Sequence, residues 1–303
     1  MRQIKLYLNK IRTKKRKLTL NLRKILYTLI TFLLTILLVG LALLVSLNWS
    51  FHQSTMKSVL TSSKYYTNLL QEIDSNAMVI TIPTGLPKEV VEEIVLLEEV
   101  QEDVNSHLEK AFAGEEYQPD LEKIRSRLIS NVEHYLAEKN IIPDQELNQS
   151  IEDYINLVTK EYLCRVKLPL LEHFIRMNTD YQSVYFVVLL ILISVILICM
   201  IILYRLTPRL QYFLYYAYNS TLAASLMLAV FSIILLMDRI YTGLQITPNS
   251  FYQFMIDYIT TNLHIILSIS ILFLALSLAL LVAERVVRSK DIKMRILSNH
   301  ERG

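Results

Sequence analysis

The chain has 303 residues, 53% of them hydrophobic, and only 19% are charged, below the quarter usual in soluble domains. Five glycines argue against a Gly-rich phosphate-binding fold, and two cysteines, Cys164 in polar sequence and Cys199 in an apolar run, exclude a disulfide framework. The net charge of +3 conceals blocks of opposite sign: both ends are basic, whereas residues 51–181 carry 12 Lys and Arg against 23 Asp and Glu, a net of −11.

Residues 1–24 hold ten basic residues and no acidic one. Such an arm can bind anionic headgroups or nucleic acid, but ahead of an apolar run it reads first as a topology signal, and nucleic acid is not an expected partner. Residues 25–47 are apolar and uncharged. At 1.5 Å per residue they are long enough to cross a hydrocarbon core of about 30 Å. They exceed a signal-peptide core, and Val45-Ser46-Leu47-Asn48 is a poor cleavage site, so the run reads as an uncleaved signal anchor. Trp49 and Phe51 stand where interfacial aromatics belong.

Residues 48–182 form an acidic insert between two apolar runs. The stretch 52–78 lacks Pro and Gly, so the first span is expected to continue outward as a helix until Pro83, Gly85 and Pro87 break it. Pro87 suits the first turn of the next helix. Leu97, Val100, Val104, Leu108 and Ala111 then recur at helical steps, with Gly114 as a stop. A second stripe follows Pro119-Asp120, comprising Leu121, Ile124, Leu128, Val132 and Tyr135, and Asn140 ends it. A third follows Pro143-Asp144, with Leu147, Ile151, Tyr154, Ile155, Val158 and Tyr162, and Pro169 should break it. No stretch alternates with period two, so the insert is predicted to be a small all-α bundle.

Residues 183–204 are a second apolar run, 205–212 a short basic turn, and 213–237 a third run that opens on Tyr215, Tyr216, Asn219, Ser220 and Thr221. The 238–262 loop holds a short amphipathic helix bearing Phe251, Phe254, Met255 and Tyr258, expected at the membrane surface or under the insert. A fourth run, 263–284, leads into the basic tail 285–303. The fold class is therefore an all-α integral membrane protein: four transmembrane helices with an extracytoplasmic helical domain inserted between the first and second. Lys and Arg gather in the arm, the 205–212 turn and the tail, whereas the 238–262 loop holds only Arg239. The positive-inside rule then gives a multi-pass cell-membrane protein with both termini cytoplasmic.

Chemistry is sparse. No span carries an ionisable residue away from its ends; Asp238, Arg239, His264 and Glu284 stand at boundaries. No span contains Pro, and Gly40 is the only glycine in one, which argues against a transporter built on broken helices. Asn219, Ser220 and Thr221 read as helix-packing groups rather than substrate ligands. The carboxylates Glu92, Glu93, Glu98, Glu99, Glu102 and Asp103 lack a calcium-loop pattern and read as a solvated helix face. His107, His134 and His173 are far apart and show no zinc spacing, and Cys164 has no companion base. The Asn48, Asn148 and Asn219 triplets match glycosylation sequons, a pattern common by chance. No catalytic, cofactor-binding or metal-binding residue is assigned, and no cofactor or small-molecule substrate is implied.

The run Thr84-Gly-Leu-Pro-Lys-Glu-Val-Val-Glu-Glu-Ile, followed by Val100-Gln-Glu-Asp-Val and Gly114-Glu-Glu-Tyr, resembles a group of four-span membrane proteins of low-GC Gram-positive bacteria. The resemblance implies a bacterial cell membrane and an extracytoplasmic helical domain, and it implies no activity. The expected role is non-enzymatic: an envelope sensor, scaffold or accessory subunit that acts through the insert on an envelope protein or on a second copy of itself. The alternative is a homo-oligomeric channel or export component; an enzyme of lipid or envelope metabolism is a third reading.

Overall fold

A computed structural model describes the backbone of residues 2–243 and 245–300 and the side chains of residues 23–243 and 245–293. The side chains of the basic arm before Arg23 and of the tail after Lys293 thus lie outside the described residues. Among the described residues every regular element is helical. The nine α-helices there are α1 Arg2–Ser50, α2 Gln53–Ser62, α3 Tyr65–Thr81, α4 Leu97–Ala113, α5 Glu122–Glu138, α6 Gln145–Val166, α7 Leu171–Leu206, α8 Leu210–Asp238 and α9 Asn249–His300. The chain divides into two compact units: unit 1 is Met1–Asn48, Ser183–Arg239 and Asn262–Gly303, and unit 2 is Trp49–Gln182 with Ile240–Thr261.

Unit 1 contains the apolar parts of α1, α7, α8 and α9, which among the described residues are the four helices long and apolar enough to cross a membrane. Their outward side chains are large and greasy: Phe32, Leu190, Leu272 and Val282 are each more than half exposed. Water-facing patches of that extent are rare on soluble monomers, and lipid removes their cost. This is a multi-pass membrane protein. Leu34 of α1 packs with Ile196 and Cys199 of α7, and the Tyr27 hydroxyl donates to the Leu206 carbonyl at 2.7 Å. A third of the α8 apolar window is buried against 11–17% for the other three, so α8 is the most enclosed. Its buried face is mostly small, with Ala217, Ser220, Thr221, Ala224, Ser225 and Ser232 beside Leu228. Small residues let backbones approach, and the hydroxyls then reach carbonyls across the gap. Thr35 donates to the Ser220 carbonyl at 3.4 Å. Ser225 and Ser270 donate to each other's carbonyls at 2.9 and 3.2 Å. Ser220 and Thr221 are buried and bonded to Ala217, whereas Asn219 is half-buried and donates back to Tyr215.

Unit 2 is organised around α3, which packs on α2, α4 and α6 and on the Lys88–Val91 turn. Its face Tyr65, Tyr66, Leu69, Ile73 and Ala77 is buried. The three expected amphipathic helices bury Val100, Val104 and Leu108, then Ile124, Leu128 and Val132, then Tyr154, Ile155, Val158 and Tyr162. Their ends carry the expected devices. Gly114 and Asn140 are left-handed at φ 77 and 52, and Asp144 accepts from the Leu147 amide at 2.8 Å.

Three expectations are corrected. The first helix does not run on through 52–78: it stops at Ser50, and a second break falls between α2 and α3, where Lys64 is left-handed at φ 56. Neither break contains Pro or Gly. Each turns the chain so that both Met56, Val59 and Leu60 of α2 and the α3 face enter one core. Pro87 does not open an α-helix. It precedes the single turn Lys88–Val91, and α4 starts only at Leu97. Between them Val90, Val91, Ile94 and Val95 are buried with Glu93 left-handed at φ 55, so an irregular segment plugs the core. Finally, the helix bearing Phe251 and Phe254 is not short, and of its two expected places it takes the one against the insert. It is the first part of α9, and both rings lie in the unit 2 core.

Candidate functional site

Unit 2 carries two adjoining concavities, and local sequence explains both. At the end of α6 the chain breaks over Lys167–Leu170, because Pro169 cannot donate a helical bond, and Leu170 takes a left-handed φ of 61. Leucine resists that conformation, and here it turns the chain so that Leu168 and Leu171 are buried while Leu170 stays exposed. Opposite, α4 ends at Gly114. The Glu115 amide bonds back to the Lys110 carbonyl at 2.8 Å, which throws Glu115–Gln118 outward as a rim.

The rim is anchored by Tyr117. Its hydroxyl donates to Asp103 at 2.6 Å, and the same carboxylate accepts from Tyr162 at 2.5 Å. Lys110 lies 5.6 Å from the Tyr117 ring centre, within cation–π range. Between the rim and the 167–176 segment opens a cleft of about 680 Å³ lined by His107, Tyr117, Lys167, Glu172, His173 and Arg176. Burial, and then nearby Lys167, hold His107 below the ordinary histidine range, with Glu172 opposing. Its Nδ1 is buried without a hydrogen-bond partner. Both features favour the neutral imidazole. The lining includes the cations Lys167 and Arg176 and the carboxylates Glu115, Glu116 and Glu172.

Leu168, Leu170, Leu171 and His173 are shared with a second hollow of about 260 Å³, and this one is apolar. Its remaining walls come from Met56, Phe174 and Met177 and from Phe251, Phe254 and Met255. Tyr258 contributes its ring, while its hydroxyl donates to the Ser50 carbonyl at 2.7 Å. One element joins these walls to the rest of unit 2. Glu72 of α3 accepts from both the amide and the hydroxyl of Ser250, each at 2.7 Å, and so satisfies the open N-terminus of α9.

Sequence spacing separates His107 from His173, yet the fold brings both to one cleft, and His134 does not join them. The acidic cluster disperses. Glu92 pairs with Lys88 at 3.3 Å, and Glu98 and Glu102 are exposed. Glu99 and Asp103 depart from the solvated-face reading. Glu99 takes both Arg127 guanidinium nitrogens at 2.7 Å and caps the Leu96 amide; Asp103 holds the two tyrosines. Their four-residue spacing is a helical signal, but nothing in it names partners 14 to 59 residues away. Cys164 is exposed and Cys199 buried, both as free thiols. Among the described residues no group of three or more His, Cys, Asp or Glu is placed to hold a metal ion.

Comparison with protein-family models, with curated proteins and with solved structures returned no match.

Proposed function

We propose that this protein resides in the cell membrane with both termini cytoplasmic, that unit 2 lies on the outer side, and that it works without catalysis as an envelope sensor, scaffold or accessory subunit acting through unit 2. The observation that carries the reading is the shared core of unit 2. Phe251 and Phe254 from the segment before the fourth apolar run pack into the same core as α2 to α6. Two segments can share a core only on one side of a bilayer, and four crossings place the first and third connections on one side. The Lys and Arg excess of the arm, the 205–212 turn and the tail then assigns the opposite side to the cytoplasm. The large mixed-charge cleft of unit 2 supplies a surface for recognition. In unit 1 the buried hydroxyls of Thr35, Ser225 and Ser270 bond to backbone carbonyls of neighbouring helices, which does not favour the channel alternative.

Cys164 tests the side. It is exposed whereas Cys199 is buried, so a membrane-impermeant maleimide should modify intact cells at Cys164. Modification only after permeabilisation would reverse the topology. Photo-crosslinking from exposed positions such as Glu102 tests the role: recovery of a different envelope protein supports it, and recovery of this chain alone favours self-assembly.

A further inference from the structure

We infer that the two hollows of unit 2 together hold one zwitterionic membrane phospholipid, with an acyl chain in the apolar groove and an amine-bearing phosphate headgroup in the adjoining cleft. The inference rests on the reading of unit 2 as the recognition domain and names its ligand.

The groove is apolar throughout its walls apart from His173, since the hydroxyl of Tyr258 is already bonded to Ser50. Its surface is Met56, Phe174, Met177, Phe254 and Met255 with the Tyr258 ring. Flexible thioethers beside flat rings accept a chain of variable shape. Met177 is 60% exposed, so the groove opens at its edge. Along the chain, Met177 and Tyr258 stand within ten residues of the apolar runs that begin at Val184 and Leu263. An occupant of this groove is therefore drawn from lipid rather than from a dissolved peptide.

The cleft supplies the other half. It shares Leu168, Leu170, Leu171 and His173 with the groove, so one amphiphile can enter both. Lys167 and Arg176 form no ion pair within 4 Å among the described residues, which leaves two cations for a phosphate. Glu115, Glu116 and Glu172 line the same cleft. They repel a headgroup that carries only negative charge and complement an ammonium group. Both signs are matched by an aminoethyl phosphodiester.

The test uses the purified full-length protein in vesicles of phosphatidylcholine. These contain a trace of a photoactivatable acyl lipid bearing an aminoethyl phosphate headgroup, a glycerol phosphate headgroup, or no phosphate (diacylglycerol). Labelled residues are mapped by mass spectrometry. Label is expected in residues 171–177 and 251–258, strongest for the aminoethyl probe. Each acyl methylene is worth roughly fourfold in partitioning, so Met177→Trp, which fills the open edge at an exposed position, should reduce that label by more than about tenfold. Lys167→Ala with Arg176→Ala should weaken labelling by both phosphate probes and leave diacylglycerol unchanged. Label confined to 184–206 and 263–283, or groove label indifferent to Met177→Trp, would overturn the inference, as would equal labelling by all three probes. Circular dichroism and melting of each variant show whether the fold is retained. The vesicle result does not depend on which side unit 2 occupies in the cell. A failed lipid and a failed Cys164 topology are therefore separate outcomes.

Discussion

Replacing Glu72 by alanine removes the acceptor for two donors at the start of α9, the Ser250 amide and its hydroxyl. Ser250 is fully buried, so water does not take the place of the carboxylate. Hydrogen bonds to a charged acceptor are worth about 1.5–3 kcal/mol each, and a stranded buried donor costs about 1–3 kcal/mol. Glu72 is itself only half-buried, which keeps the expected total near 2–3 kcal/mol. That free energy is the penalty for holding residues 249–258 against α3, so it should appear as local opening. Hydrogen–deuterium exchange of the full-length protein in detergent should show the amides of 250–258 exchanging roughly 30- to 150-fold faster, at 1.36 kcal/mol per tenfold. Amides of α5, which does not touch this junction, should be unchanged. Glu72→Gln keeps one carbonyl acceptor and should cost about 1 kcal/mol, roughly fivefold in exchange. A change below threefold in Glu72→Ala would refute the assignment of Glu72 as the cap of α9.

The Arg127 guanidinium beside Glu99 holds that carboxyl below the usual carboxylate range. A depressed folded value stabilises above the unfolded one, so this contribution is intact at neutral pH and lost as the pH falls below about 4. Arg127→Ala should lower stability by about 1.5–3 kcal/mol at pH 7, and the gap to the parent should narrow in melts at pH 3. Burial and Asp103 raise the Tyr117 hydroxyl above its ordinary value, and burial raises Tyr65. Both therefore stabilise below pH 10 and lose that contribution as the pH rises further. Phenolate absorbance should show tyrosines that ionise only when the fold opens. Asp103→Ala strands both tyrosine hydroxyls and should cost about 2–4 kcal/mol. Tyr117→Phe should cost about 1 kcal/mol and free the rim, measured as faster proteolysis at 115–118. In unit 1, Ser225→Ala should cost only about 0.6 kcal/mol, whereas Ser225→Leu, forced between α8 and α9, should cost about 1–3 kcal/mol; melting in detergent separates the two.

Four apolar runs and three amphipathic stripes were legible because each rests on a local rule: length without charge, or a step of three and four residues bounded by Pro, Gly, Asp or Asn. The stripe Val100, Val104 and Leu108 is buried as the spacing requires. The breaks at 51–52 and 63–64 were not legible, because no residue there forbids a helix. Only the demand that Leu60 and Tyr65 enter one core places the turn. The cleft was hidden for a related reason. His107, Tyr117, Lys167 and Arg176 carry no common spacing and meet only because Pro169 and Gly114 end two helices beside one another.

The sequence by itself determined an all-helical chain with four stretches able to cross a membrane and an acidic helical insert, since hydrophobicity, charge and periodicity are properties of neighbouring residues. Tertiary structure decided what the insert is. It recruits residues 240–261 as part of its core, turns Glu99 and Asp103 from solvated charges into fasteners, and sets a polar cleft against an apolar groove. Those outcomes depend on which distant surfaces pack together, and packing free energy is not written in any one window of the chain.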